Sequence, residues 1–298
     1  MNYSKIRWCK NKKKYVRLQS QKFFIMTIPT DSLLNLFTKE EYAQVAEHIR
    51  KAVTDYVSSY HLQALVLGIS GGIDSALCAA LLKPVCERLG IPLIGRSITI
   101  ETNPNDEVAR SLAIGKAFCH DFRHLDLTDT FFENKKLLVH YDDSQLSKMR
   151  QGNMKARMRM MVLYDLAQLY HGIVISTDNY TEYLTGFWTL HGDVGDYAPI
   201  MYLWKTEVFH LSEHLLPECN PDQRAALQSC IDATPVDGLG ISSCDCEQLG
   251  VPNYYEADKI FVDYFKGNKE WEQHPLIQRY KKSQYKRENP ISVCRKER

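Results

Sequence analysis

The stretch from 65 to 82, LVLGISGGIDSALCAALL, limits the fold more than any other part of the chain. An unbroken apolar run, Leu65 to Ile69, enters Ser70-Gly71-Gly72-Ile73-Asp74-Ser75, and a second apolar run of helical length follows at once. A short apolar run ended by a glycine turn fits a strand covered on both faces, which belongs in a parallel sheet. Paired glycines let the backbone turn tightly and aim its N–H groups inward. The helix behind them presents its positive end to the same point. Such a junction suits a phosphate, yet it is not the common P-loop, which carries a lysine and a hydroxyl residue after its second glycine. Here Asp74 stands near that place. A carboxylate repels a bare phosphate but shares Mg²⁺ with one, because Mg²⁺ takes a carboxylate together with phosphate oxygens. With no lysine for the γ-phosphate, the loop favours cleavage between the α and β phosphates of ATP, with pyrophosphate leaving. The plainer alternative is a Gly-Gly turn capped by an aspartate.

The rest of the chain alternates in the same sense. Residues 37–60 repeat apolar side chains at Tyr42, Val45, Ile49, Val53 and Val57, a helical spacing. The helix after the loop carries Leu77, Leu81, Leu82, Val85 and Leu89 on one face, and Pro84 is expected to kink it. Strands are expected at 91–100, 122–127 and 173–179. A helix capped by Asn105-Asp106 should run to about Phe118, and another should cover 152–172 with a stripe of Met154, Met158, Met161, Val162 and Leu166. The order strand, helix, strand, helix, strand, helix, strand predicts an α/β fold, an open parallel sheet with helices on both faces. Ligands in such sheets bind beyond the carboxyl ends of the strands. Those ends hold Ser70–Ser75, Glu101–Asn105, Asp126–Asp129 and Thr177–Glu182. Glu182, just past the last strand, could bring a second carboxylate to the ion on Asp74; alone it would read as a surface residue in a helix's first turn.

The bulk numbers set the remaining bounds. A chain of 298 residues with 44% hydrophobic content can bury a sizeable core. A net charge of +1 draws it neither to nucleic acid nor to a membrane surface, and no apolar run is long enough to span a bilayer. Nine cysteines without paired spacing favour a reducing cytoplasm. Residues 1–30 carry eight lysines and arginines and no acid, and read as a solvated, disordered basic extension, with Met26 a candidate true start. Residues 31–298 read as one α/β domain.

Several blocks, in order, now resemble the ammonia-dependent NAD synthetases of the N-type ATP-pyrophosphatase superfamily, over about residues 40–290. They are GISGGIDSA (68–76), GNMKARMRM (152–160), STDNYTEYLTGFWTLHGD (176–193), MYLWKTEV (201–208) and RYKKSQYKRENP (279–290). The loop alone is shared by many enzymes; the set is specific. The resemblance implies that Gly68, Ile69, Ser70, Gly71, Gly72, Ile73, Asp74 and Ser75 bind ATP. It adds Arg96, Thr177, Lys205 and Thr234 to the ATP contacts, and gives Asp74 and Glu182 as Mg²⁺ ligands. It implies that Asn153, Arg157, Asp196, Tyr285 and Lys286 contact deamido-NAD. It further implies a homodimer with ATP, deamido-NAD and ammonia as small-molecule substrates. The implied reaction is attack of the nicotinate carboxylate on the α-phosphorus, then attack of ammonia on the acyl-adenylate to give NAD and AMP. Taken singly, Lys205 and Arg157 would read as surface ion-pair residues.

The chain also departs from the pattern. Leu190 stands where the family usually has a lysine, the acidic loop after it is one residue short, and Tyr285-Lys286-Arg287 replaces a His-Lys-Arg. The segment after Thr234 lacks its usual lysine. These changes gather on the dinucleotide side. Two further patterns read as ordinary structure: HLSEH (210–214), which has the spacing of a zinc-peptidase motif, and CDC (244–246), which lacks the spacer of a zinc or redox pair. The rival functions are another adenylating enzyme with this loop, a nucleotide-binding homologue without activity, and a basic-tailed nucleic-acid binder.

Overall fold

The computed structural model describes residues 35–101, 103–138, 140, 142–234, 245–290 and 293. The basic extension, Met26 and the segment from 235 to 244, including Cys244, lie outside the described residues. The chain begins with α1 (Tyr42–Tyr60), β1 (Leu65–Gly68), α2 (Ile73–Leu89), β2 (Leu93–Thr99) and α3 (Asn105–Phe118). It continues through β3 (Asp121–Asp126), α4 (Thr128–Lys135), α5 (Gln145–Leu169), β4 (Ile173–Ile175) and α6 (Tyr180–Thr185). The remaining helices are α7 (Lys205–Leu215), α8 (Pro221–Ile231), α9 (Asp245–Leu249), α10 (Tyr254–Phe265), α11 (Pro275–Lys282) and α12 (Gln284–Arg287).

The four strands form one parallel sheet in the order β3-β2-β1-β4. β1 is central, and its side chains alternate between two cores. Leu65, Leu67 and Ile69 pack with α1, α2, α7 and α8, while Val66 packs with Ile94, Val174 and Ala167 of α5. Helices therefore cover both faces, as the alternation predicts. α2 is buried nearly all round, from Ile73 to Cys86. Each fully buried aliphatic side chain of this kind stabilises the fold by about 1.5–3 kcal/mol. A further apolar cluster joins Leu184 and Trp204 to Tyr254, Phe261, Leu276 and Ile277, so the C-terminal helices close on α6 and the start of α7.

α2 runs through Pro84. Several local details differ from the sequence reading. Asn105 and Asp106 are not the cap of α3; Pro104 occupies that position, and Asp106 with Glu107 sits in the first turn, where acids complement the helix dipole. α5 starts at Gln145, earlier than the apolar stripe shows, because Ser144 caps it by accepting from the Ser147 N–H. Its first turns are polar, so periodicity is silent there. Met158 is buried as expected, but Met161 is exposed. β4 ends at Ile175, leaving 176–179 as the loop that reaches the site.

The two patterns read as ordinary structure stay so among the described residues. His210 and His214 lie on α7 against the Tyr42 ring of α1, with His210 Nδ1 3.2 Å from the Tyr42 hydroxyl. Cys246 packs against the C-terminal apolar cluster. Among the described cysteines, Cys78, Cys86, Cys119, Cys219 and Cys230 are free thiols. No helix among the described residues is long and apolar enough to cross a membrane.

Candidate active site

The loop after β1 is held by its own side chains. Ser70 Oγ accepts from the Gly72 N–H at 3.1 Å, and Ser75 Oγ donates to the Gly72 carbonyl at 3.1 Å. Gly71 takes φ +89°, and a Cβ there would stand 2.3 Å from the Glu107 carbonyl of α3. Both the left-handed backbone and the close approach require glycine. Gly71→Ala should therefore shift the loop and lower activity by at least about tenfold while the far-ultraviolet circular dichroism holds. Unchanged kinetics in that variant would remove the loop from the site. The Gly71 carbonyl accepts from Arg110 Nε at 3.1 Å, with Cys230 Sγ at 3.5 Å, so α3 and α8 brace the turn from outside.

Three charged groups from three distant segments meet beside this loop. Asp74 comes from the first turn of α2, Glu182 from the first turn of α6, and Lys205 opens α7. Lys205 Nζ donates to Asp74 Oδ2 at 2.5 Å and to Glu182 Oε1 at 3.0 Å. The lysine side chain is only 3% exposed. Burial alone would lower its pKa, but the two carboxylates outweigh that and raise it, so the group stays an ammonium. Burial and the Asp74 charge raise the Glu182 carboxyl above the usual carboxylate range. Two hard carboxylate oxygens that converge on one cation are the donor set a divalent ion such as Mg²⁺ uses alongside phosphates. Among the described residues no group of three or more acidic, histidine or cysteine side chains converges on one point, so these two acids are the carboxylate donors the site offers.

Asn179 ties the two acids together. Its Oδ1 accepts from the Glu182 N–H, its own N–H reaches Glu182 Oε2 at 3.4 Å, and its Nδ2 donates to Asp74 Oδ1 at 2.8 Å. The residue is fully buried. Sequence reasoning missed it, although Asn179-x-x-Glu182 is a capping-box pattern and signals a helix start there.

A cavity of about 580 Å³ opens over these groups. It is lined by Gly68 to Asp74, Arg96, Asn153, Thr177, Glu182, Lys205, Thr234, Tyr285 and Lys286. Ser75 lies just behind, buried in the loop's hydrogen bonds. Arg96 borders the cavity, yet its guanidinium forks onto Asp121 Oδ1 and Oδ2 at 3.1 and 3.2 Å. Asn153 accepts from Thr189 Oγ1 at 2.8 Å. Lys286 donates to the Gly186 carbonyl at 2.7 Å and to that of Trp188.

Arg157 and Asp196 do not line the cavity. Arg157 is exposed and donates to the Leu190 carbonyl at 3.3 Å; Asp196 accepts from the Tyr164 hydroxyl at 2.8 Å. The neighbouring Arg159 faces inward instead, donating to the Ile98 carbonyl at 3.0 Å. Asp178, Asp193, Glu107 and Arg110 also border the cavity and were not singled out from sequence. Burial first, then the Asp193 and Glu182 charges, raises the Asp178 carboxyl well above its ordinary range. The loop that carries Asp193 is pressed against β4 at Gly195, where a Cβ would stand 2.4 Å from the Ser176 nitrogen.

The NAD synthase family model matches residues 45–290, nearly the whole described chain. The chain belongs to the NAD synthase family. Among curated members, the NH3-dependent NAD+ synthetase of Finegoldia magna is 33% identical over 250 residues, covering 83% of this chain and 94% of that protein. The enzyme of the same name from Thermoplasma volcanium is 30% identical over 264 residues, covering 86% and 97%. Of the solved structures, NMN synthetase from Francisella tularensis superposes with a TM-score of 0.69 at 25% identity, covering 86% of this chain and 99% of that one. The NH3-dependent NAD synthetase from Campylobacter jejuni gives 0.65 at 21% identity, which supports the shared fold. Family membership brings ATP as a substrate and a ligase reaction in nucleotide biosynthesis.

Proposed function

We propose that this chain amidates deamido-NAD with ammonia at the expense of ATP, through an acyl-adenylate, giving NAD, AMP and pyrophosphate. The observation that carries this reading is the meeting of Asp74, Glu182 and Lys205 at the mouth of the Ser70–Ser75 loop, inside the cavity. The loop cradles the pyrophosphate that leaves. Asp74 and Glu182 would hold Mg²⁺, which when bound neutralises charge on the phosphates. Lys205, on a long flexible stem, can turn from the acid pair to the α-phosphate and offset charge that grows there. Thr177 and Thr234 line the ATP side. Asn153, Tyr285 and Lys286 line the acceptor side, while Arg157 and Asp196, which the family resemblance also gives to the acceptor, lie outside the cavity lining. Attack by the acceptor carboxylate on the α-phosphorus breaks the bond to pyrophosphate. Ammonia then attacks the acyl carbon, loses a proton, and expels AMP. Residues 31–298 would act as one domain, a cytoplasmic homodimer by the family resemblance.

The reading is tested by incubating purified protein with ATP, Mg²⁺, deamido-NAD and ammonium. NAD, AMP and pyrophosphate should appear in equal amounts. ADP as the product, or no turnover, overturns it.

A second reading keeps the chemistry and shortens the acceptor to nicotinate mononucleotide. It is favoured by the superposition on an NMN synthetase and by Leu190 in place of the family's lysine on the dinucleotide side. The same assay with both acceptors at equal concentration decides between them by the ratio of kcat/KM.

A further inference from the structure

The buried carboxylate of Asp258, on α10, lies behind the catalytic trio and touches neither acid. Its Oδ1 accepts from Thr181 Oγ1 at 2.5 Å. Its Oδ2 accepts from both the N–H and the hydroxyl of Thr206, at 2.9 and 2.7 Å. Thr181 immediately precedes Glu182, and Thr206 immediately follows Lys205. The circuit closes when the Lys205 N–H donates to Thr181 Oγ1 at 3.0 Å. Asp258 is fully buried.

This arrangement has a local alternative that the chain does not use. The first N–H groups of a helix need acceptors, and a serine, threonine or aspartate just before the helix usually supplies one. The residue before α7 is Trp204, whose indole has no oxygen to accept with, although Glu207 of the first turn accepts from the Trp204 N–H at 3.0 Å. Part of that work is done by Asp258, 52 residues away in the chain. A local cap would satisfy α7 and connect it to nothing. The remote carboxylate instead fixes the start of α7 against the start of α6, the two places from which Lys205 and Glu182 project. α10 contributes a second contact one turn earlier: the Tyr254 ring lies 5.3 Å below Lys205 Nζ. Residues four apart share a helix face, so Asp258 and Tyr254 present one surface to the lysine and its backbone.

We propose that Asp258 is the positioning residue of this site: through Thr181 and Thr206 it sets the separation of Glu182 and Lys205. The proposal rests on the adenylation reading for its catalytic consequence, while its geometric part concerns ATP binding alone. Asp258→Asn is nearly isosteric but replaces one acceptor oxygen with a donor, so it cannot serve both threonines as the carboxylate does. Misplacement by a fraction of an ångström should lower kcat/KM for ATP by about 10–100-fold and weaken ATP binding, read by calorimetry, by about threefold or more. Thr206→Ser keeps every bond to Asp258 and should stay within about twofold of the unaltered protein. In a Glu182→Gln background, Asp258→Asn should add less than about threefold to the loss, because both changes act on one unit.

A purely structural Asp258 would give the opposite pattern: a lower Tm, kcat/KM within about twofold when assayed well below that Tm, and losses that multiply in the double variant. That result overturns the proposal. If Asp258→Asn fails to fold, Thr181→Val removes one donor and should show the same pattern in smaller size; normal kinetics in that variant overturn it equally. A protein that binds ATP but makes no product would refute the adenylation reading, and the calorimetric arm would still decide the geometry.

Discussion

Asp74→Asn should reduce turnover by roughly 10²–10³-fold while leaving the fold intact. The amide keeps the size of the side chain and can still pair with Asn179, so packing has no reason to change. What disappears is the charge that would draw a divalent ion to the loop and that now holds Lys205 at 2.5 Å. Lys205 retains Glu182 at 3.0 Å, so no buried ammonium is left without a partner. Steady-state kinetics with a thermal melt checks this: the melt should move little and kcat should collapse. Near-normal activity in a folded variant would show that Asp74 is a helix-start acid and nothing more.

Lys205→Met should damage stability as well as turnover. It removes the buried cation between two half-buried carboxylates, and breaking a buried pair typically costs about 3–5 kcal/mol because the remaining charge is uncompensated. The protein's remedy is to protonate one acid. Burial and the Asp74 charge already raise the Glu182 carboxyl, and without Lys205 that rise must grow. An acid whose folded pKa lies above its unfolded value binds more protons in the native state, so stability falls as pH rises through that window. The variant's deficit in Tm should therefore be largest near pH 8 and shrink toward pH 5. Added Mg²⁺ should restore part of the lost Tm in the variant, since it can replace the missing cation between the acids. A deficit that does not change with pH would mean that the two carboxylates do not feel each other.

The parts of the site legible in sequence are those whose signal is local. Leu65 to Ser75 announces strand, loop and helix within a dozen residues, and Asp74 stands out because it is wrong for a P-loop. Glu182 is visible as an acid placed just past a strand. By contrast, the pairing of Arg96, which the resemblance gives to ATP, with Asp121 of β3 is invisible in sequence because it depends on sheet register. The choice between Arg157 and Arg159 turns on which side of α5 faces the sheet, and two residues on a helix point about 160° apart. Asp258 gives no sign at all, since an aspartate in an amphipathic helix looks like a solvated one until Thr181 and Thr206 are seen against it. The start of α5 is hidden for a related reason: its first turns are polar, and only the cap at Ser144 marks them.

The span of the chain between the partners of Lys205 has a consequence for when the protein can work. Asp74 and Lys205 are 131 residues apart, Asp74 and Asn179 105 apart, and Asp258 lies later still. A growing chain emerges from its N-terminus and can pair β1, β2 and β3 long before α7 and α10 exist. At that stage the glycine loop is present but has neither its second carboxylate nor its lysine. A half-made or clipped chain that stops before α7 therefore lacks the complete set of Asp74, Glu182 and Lys205. The charged trio and the carboxylate behind it come together only when α6, α7 and α10 have docked, so the site is assembled last.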